Sequence, residues 1–153
     1  MGIYGTDVML QAEEILELDV DISEPLVVGQ THRGYLKVIP IEGGTFCGQK
    51  LKGELIPGGA DWNTVMGSGP DDLEGIRHVF AKYTIRTLDG VCISVENEGW
   101  KPMDAAKATT IATVPRLLCA DPRYRWLNYG VYVGSLTPRP GGNGVKLRFY
   151  RMK

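Results

Sequence analysis

The chain has 153 residues, 43% of them hydrophobic, with a formal net charge of −1. That is enough for one domain with a sizeable core. Lys and Arg are scattered, which argues against the basic patch of a nucleic-acid surface, and no apolar run approaches the roughly 18–20 residues of a membrane-spanning helix.

The opening MGIYGTDVMLQAEE carries acids where a signal peptide would have its apolar core. The expectation is a soluble cytoplasmic protein with neither nucleic-acid nor membrane partners. Residues 1–153 read as a single β-barrel domain, with 1–11 set apart as a loose or swapped N-terminal arm.

Glu14–Ile22 alternates, with Leu16, Leu18, Val20 and Ile22 on one face and Ile15, Glu17, Asp19 and Asp21 on the other, as a half-buried strand does. Gly34–Ile41 and Lys50–Ile56 follow as strands. Between and beyond them, Gly43-Gly44 and Pro57-Gly58-Gly59 read as sharp turns, since Gly tolerates φ > 0. Ile76–Leu88 is a long strand ending at Asp89-Gly90, a strong hairpin signal into Val91–Asn97. A turn or so of helix is expected near Met103–Ala108. Strands Thr109–Cys119, Arg125–Leu136 and Val145–Met152 complete the chain, the last two joined by TPRPGGNG. Eight or more short antiparallel strands joined by consecutive hairpins favour an up-and-down β-barrel over a sandwich, because closure removes exposed edges. A barrel of eight strands can hold one small ligand.

GGTF at 43–46, LKGELIPGGADW at 51–62, YTIRTLDG at 83–90, NEG at 97–99, DPRYRWLN at 121–128 and VYVG at 131–134 together carry a resemblance. The chain resembles a family of bacterial and fungal proteins grouped as a domain of unknown function, over about Glu14 to Tyr150. The resemblance implies a lipocalin-like (calycin-like) barrel and homo-oligomerisation. It implies no particular activity. The chain also departs from the family pattern: Phe80 stands where an Asp is common, and Leu118 where an acid is frequent.

Asp61 and Trp62 form an acid–indole pair suited to a flat or aromatic ligand, with Asp61 as acceptor or general base. The bland alternative is a turn Asp bonded to its own backbone and a Trp plugging one end. On the long strand, His78, Phe80, Lys82, Thr84 and Arg86 share one face, and Val79, Ala81, Tyr83, Ile85 and Thr87 the other. If the first face points inward, His78 is a base near neutral pH and Arg86 a carboxylate clamp; if the second does, Tyr83 offers an interior hydroxyl. Periodicity leaves both open. Asn97 either caps a turn or donates to a ligand. Trp126 and Asn128, grouped with Tyr124 and Tyr132 on one strand face, suit a pocket or a subunit interface equally.

No metal or cofactor is expected: two His residues 46 apart match no common zinc pattern, and GGTFCG lacks the following helix of a phosphate loop. Cys47, Cys92 and Cys119 read as small core residues, since free Cys is usually buried. Three functional readings stand: a small-molecule-binding barrel whose ligand is partly apolar or aromatic; a cofactor-free lyase, isomerase or hydratase working by acid/base chemistry in the barrel mouth; and a non-catalytic assembly protein, a homodimer or higher homo-oligomer.

Overall fold

The computed structural model describes residue 5, residues 7–104 and residues 110–153. Nine strands follow one another: β1 (Ala12–Ile22), β2 (Leu26–Thr31), β3 (Gly34–Cys47), β4 (Lys52–Met66), β5 (Ile76–Thr87), β6 (Cys92–Pro102), β7 (Ile111–Leu118), β8 (Tyr132–Pro138) and β9 (Gly144–Met152). From β2 to β9 each strand pairs antiparallel with the next, β9 pairs with β1, and β1 returns to β3. The result is a closed antiparallel barrel of eight strands with β2 as an extra ninth.

Closure depends on β3 serving two partners along its length. Its C-terminal half pairs with β1, from Ile22 opposite Ile41 to Glu17 opposite Cys47. Its N-terminal half pairs with β2, from Leu26 opposite Val38 to Thr31 opposite Gly34. The break between β1 and β2 falls at Ser23–Pro25, where Pro25 has no N–H to donate to a ladder. Leu26, Val27 and Val28 are exposed on β2.

The glycine pairs do not make the expected turns. They sit inside β3 and β4, which run on through them to Cys47 and Met66. Their role is to bend long strands around the barrel, as bulges do. Opposite Tyr83 alone, β4 carries the three residues 57–59, between Ile56 paired with Thr84 and Ala60 paired with Lys82. Gly44 has φ +140, and a Cβ there would lie 2.0 Å from the Asp19 carbonyl oxygen of β1. The β1–β3 seam therefore closes only over a residue without a side chain. The actual β3–β4 hairpin lies between Cys47 and Lys52.

Two further expectations are corrected. Arg125–Leu136 is not one strand: Arg125–Asn128 forms a 3₁₀ turn, and β8 begins at Tyr132. Asp121 initiates this departure by accepting the Arg123 N–H, a turn-forming bond that the apolar pattern of the segment does not announce. The expected helical turn near Met103–Ala108 lies partly at 105–108, outside the described residues. Of the cysteines only Cys119 is buried; Cys47 and Cys92 are exposed on outward positions. Asp89-Gly90 does form its hairpin, with the Gly90 N–H donating to the Thr87 carbonyl at 2.9 Å.

Alternation sorts the barrel into an inner and an outer surface. Leu16, Leu18, Leu55, Ile85, Ile93 and Phe149 fill one end with fully buried side chains, and Leu127 of the 3₁₀ turn covers it. The other end is not filled.

Candidate functional site

The unfilled end holds a cavity of about 430 Å³, within the range of roughly 300–1,000 Å³ typical of small-molecule sites. Its wall is mostly aliphatic: Val20 and Ile22 from β1, Ile39 and Ile41 from β3, Val79 and Ala81 from β5, Leu136 from β8, Val145 and Leu147 from β9. Six polar side chains interrupt it: Asp61, Asn63, Arg77, Tyr83, Asn97 and Lys101.

Strand register explains why these six meet. Asp61 lies opposite Ala81 and Asn63 opposite Val79 across β4–β5; Arg77 lies opposite Lys101 and Ala81 opposite Asn97 across β5–β6. All are odd-numbered, inward positions of three neighbouring strands. The Arg77 guanidinium donates to Asn63 Oδ1 at 2.8 Å, and the Asn63 amide donates to Asp61 Oδ2 at 3.3 Å. Asp61 Oδ1 accepts the Phe80 backbone N–H at 2.9 Å. Burial pushes the Asp61 carboxyl above the usual carboxylate range; the Asn63 and Phe80 hydrogen bonds and the charges of His78 and Arg77 oppose this. Lys37, opposite Asn63 on β3, is held below the usual lysine range by burial and by the Arg77 charge, against the pull of Asp61.

Deeper in, Tyr83 and Asn97 are 4% and 3% exposed. Tyr83 Oη and Asn97 Oδ1 have no hydrogen-bond partner within the protein. Burial alone pushes the Tyr83 phenol far up, so it stays a neutral donor at physiological pH. Thr113 Oγ1 on β7 is likewise unpartnered; it lies against the backbone of Gly134, where a Cβ would come within 2.5 Å of it.

The structure thus chooses between the two faces of β5: Val79, Ala81, Tyr83, Ile85 and Thr87 point inward. His78 is outside, 3.0 Å from Glu98 and stacked on Trp100 with ring centroids 4.8 Å apart. Arg86 is also outside, paired with Glu54 at 2.6 Å. Trp62 is 44% exposed on the outer face of β4, so the acid–indole pair is split across the barrel wall. Phe80 and Leu118, the two departures from the family pattern, occupy outward positions too, and neither touches the cavity.

Trp126 and Asn128 lie at the filled end, and their grouping with Tyr124 and Tyr132 on one strand face does not hold. Asn128 accepts the Cys119 N–H at 2.7 Å and donates to the Cys119 carbonyl at 2.8 Å, tying the 3₁₀ turn to the end of β7. The Trp126 ring has Lys50 Nζ 5.0 Å and Arg151 Cζ 5.7 Å from its centroid. Of the expected site residues, Asp61, Tyr83 and Asn97 share the cavity. Asn63, Arg77 and Lys101 were missed, although continuing the alternation of Tyr83 back to 77, of Asp61 on to 63 and of Asn97 on to 101 reaches all three. Among the described residues no group of three or more His, Cys, Asp or Glu side chains could hold a metal ion, and no helix is long and apolar enough to cross a membrane.

A closed β-barrel with one plugged end and one open, mostly aliphatic cavity is the class this architecture defines. The chain belongs to the family described as Protein of unknown function (DUF3237), whose profile matches residues 10–152. A UPF0311 protein of Bradyrhizobium diazoefficiens is 31% identical over 82% of this chain and 87% of its own length. Among solved structures, a protein with unknown function from Clostridium acetobutylicum superposes with a TM-score of 0.79 at 27% identity, covering 97% of this chain and 100% of that one. A beta-barrel like protein from Acinetobacter baumannii also gives 0.79 at 27% identity, covering 99% and 100%.

Proposed function

We propose that this protein binds a small, partly apolar molecule in the open end of its barrel. One observation carries the reading: Tyr83 Oη and Asn97 Oδ1 are buried, unpartnered within the protein, and on the wall of an aliphatic cavity. Leaving a buried polar atom unpaired costs about 1–3 kcal/mol. Two such atoms on one cavity wall make sense where a ligand supplies their partners. A thermal-shift screen with phenolic acids, ketones and fatty acids tests this, since a ligand selective for the folded state raises the melting temperature. Binding compounds should lose affinity in Tyr83→Phe by about tenfold, one hydrogen bond's worth. A screen in which nothing raises the melting temperature, or binding indifferent to Tyr83→Phe, would discard the reading.

The position of Asp61 favours a second reading on the same barrel. Burial that raises its carboxyl above the usual carboxylate range, beside the cavity and beside Arg77, is how a general base is tuned. In that case Asp61 takes a proton from a bound carbonyl compound, and the Tyr83 hydroxyl donates to the oxyanion that develops. Any turnover found should collapse in Asp61→Asn; full turnover in that variant removes Asp61 from the chemistry.

A further inference from the structure

Resting on the ligand-binding reading of the cavity, we infer that the ligand is a hydroxy acid. Its carboxylate meets Arg77 and Lys101 at the rim, and its far end carries a hydroxyl that pairs with Tyr83 and Asn97.

Many cations on the outer surface of this barrel pair with acids. On the outer wall Lys82 pairs with Glu96, Arg86 with Glu54, Lys146 with Glu17, and Arg139 with Asp21. Arg116 reaches Glu98 and Arg123 reaches both Asp89 and Asp121. Lys37, Arg77 and Lys101 form no ion pair among the described residues, as is also true of Arg33, Lys50, Lys52, Arg125 and Arg151; what sets the three apart is their place together on inward positions of β3, β5 and β6. The register sets the three close together. Arg77 and Lys101 are direct cross-strand partners, and Lys37 lies opposite Asn63, which holds Arg77.

Like charges directly opposite across a ladder destabilise a sheet. Here the arrangement persists with a single acid, Asp61, lining the same cavity, and Asp61 spends its oxygens on Asn63 and the Phe80 N–H. Two cations on the cavity wall, Arg77 and Lys101, with Lys37 beside them on β3, leave an excess of positive charge over the one engaged acid. Arg77 gives one N–H to Asn63, and its planar fork has donors to spare for two parallel bonds to a carboxylate.

The far end is read from the donor and acceptor left over. Tyr83 Oη is a neutral phenol that can donate, and Asn97 Oδ1 can only accept. They are diagonal neighbours on β5 and β6, since Tyr83 faces Val95 and Asn97 faces Ala81. With the amide oriented as it is, a carbonyl would satisfy Tyr83 and leave Asn97 Oδ1 unpaired. A hydroxyl accepts from one and donates to the other. Between rim and floor the wall is aliphatic (Ile39, Ile41, Val79, Leu136, Leu147), which suits an alkyl or aryl spacer.

The test uses ω-hydroxy fatty acids of six to twelve carbons and (4-hydroxyphenyl)alkanoic acids as probes. Each is compared by calorimetry and thermal shift with its methyl ester, which lacks the charge, and with its deoxy analogue, which lacks the hydroxyl. The expected result is that the best acid binds at least tenfold tighter than its ester and its deoxy analogue. In Arg77→Gln and Lys101→Gln the acid should lose about tenfold while the ester keeps its affinity, which also shows that the variant barrels are folded. Raising salt from 0.05 to 0.5 M should weaken the acid and spare the ester. Esters that bind as well as acids overturn the inference and leave the cavity's ligand-binding role standing. Deoxy analogues equal to the hydroxy acids overturn it at the floor. If no probe, charged or neutral, shifts the melting temperature, both fall together.

Discussion

The two ends of this barrel are built from the same alternation and treat polar groups in opposite ways. At the filled end, Asn128 places both ends of its amide on the Cys119 backbone and Tyr132 Oη donates to the Trp126 carbonyl at 2.8 Å, among fully buried Leu16, Leu127 and Phe149. At the open end, Tyr83 and Asn97 keep buried polar atoms unpaired and Arg77 faces Lys101. Nothing in strand geometry requires that difference, because β5, β6 and β9 run through both ends. The filled end follows the packing rules closely and serves stability. The open end departs from them where recognition would need it, as proteins do at functional sites.

The sharpest way to break the contrast is to hollow out the filled end. Phe149 is fully buried on β9, opposite Leu16 of β1 and Gly134 of β8. Phe149→Ala should cost about 3–5 kcal/mol in urea unfolding, the range for large-to-small changes in a packed core. A loss under about 1 kcal/mol would mean that this end is not a plug. Asn128→Ala is expected to cost less, about 1–3 kcal/mol, because it strands the Cys119 N–H and carbonyl together. An unchanged unfolding midpoint would show that the 3₁₀ turn is held by Leu127 alone.

How much of this was legible in the residues differs between the ends in the same way. The alternation of β1 from Leu16 onward and of β5, with the Asp89-Gly90 hairpin, points to a barrel, because burying one face is a local, period-two property. The bends at Gly43-Gly44 and Gly58-Gly59 read as turns in the sequence, since Gly permits both and only the pairing of β3 with β1 and of β4 with β5 demands the bends. Asp61, Tyr83 and Asn97 were recognised as candidates, whereas Trp62, His78 and Arg86 fell on the outer face once the register was fixed. Which face is inner is set by the whole sheet and not by any one strand. Arg77 and Lys101 escaped notice for a related reason: charged residues near strand ends normally face water, and only their odd-numbered register with Tyr83 and Asn97 turns them inward.

Asp61 offers the smallest effect and the most direct comparison, since it is an acid at the open end that the fold tolerates rather than uses for stability. Its ordinary carboxylate value is 3.8, and burial raises it in the folded chain. Between those two values the folded protein holds a proton that the unfolded chain has released, so stability falls as pH rises through that window and is flat above it. Above that window the ionised carboxylate is therefore a net cost. Asp61→Asn removes the charge and keeps an oxygen for the Phe80 N–H but gives up the long 3.3 Å bond from the Asn63 amide, so the variant should be more stable than the parent at pH 7 by a small margin, on the order of 1 kcal/mol or less. The gap should close as the pH is lowered toward 3.8, where the parent carries the proton as well. Paired urea titrations at several pH values read that difference directly, with the other carboxylates common to both proteins. If the variant proves less stable at pH 7, the attraction of Asp61 to Arg77 and His78 outweighs its burial. The acid would then count among the stabilising groups of the barrel, and the open end would differ from the filled one only in its unpaired hydroxyl, amide and cations.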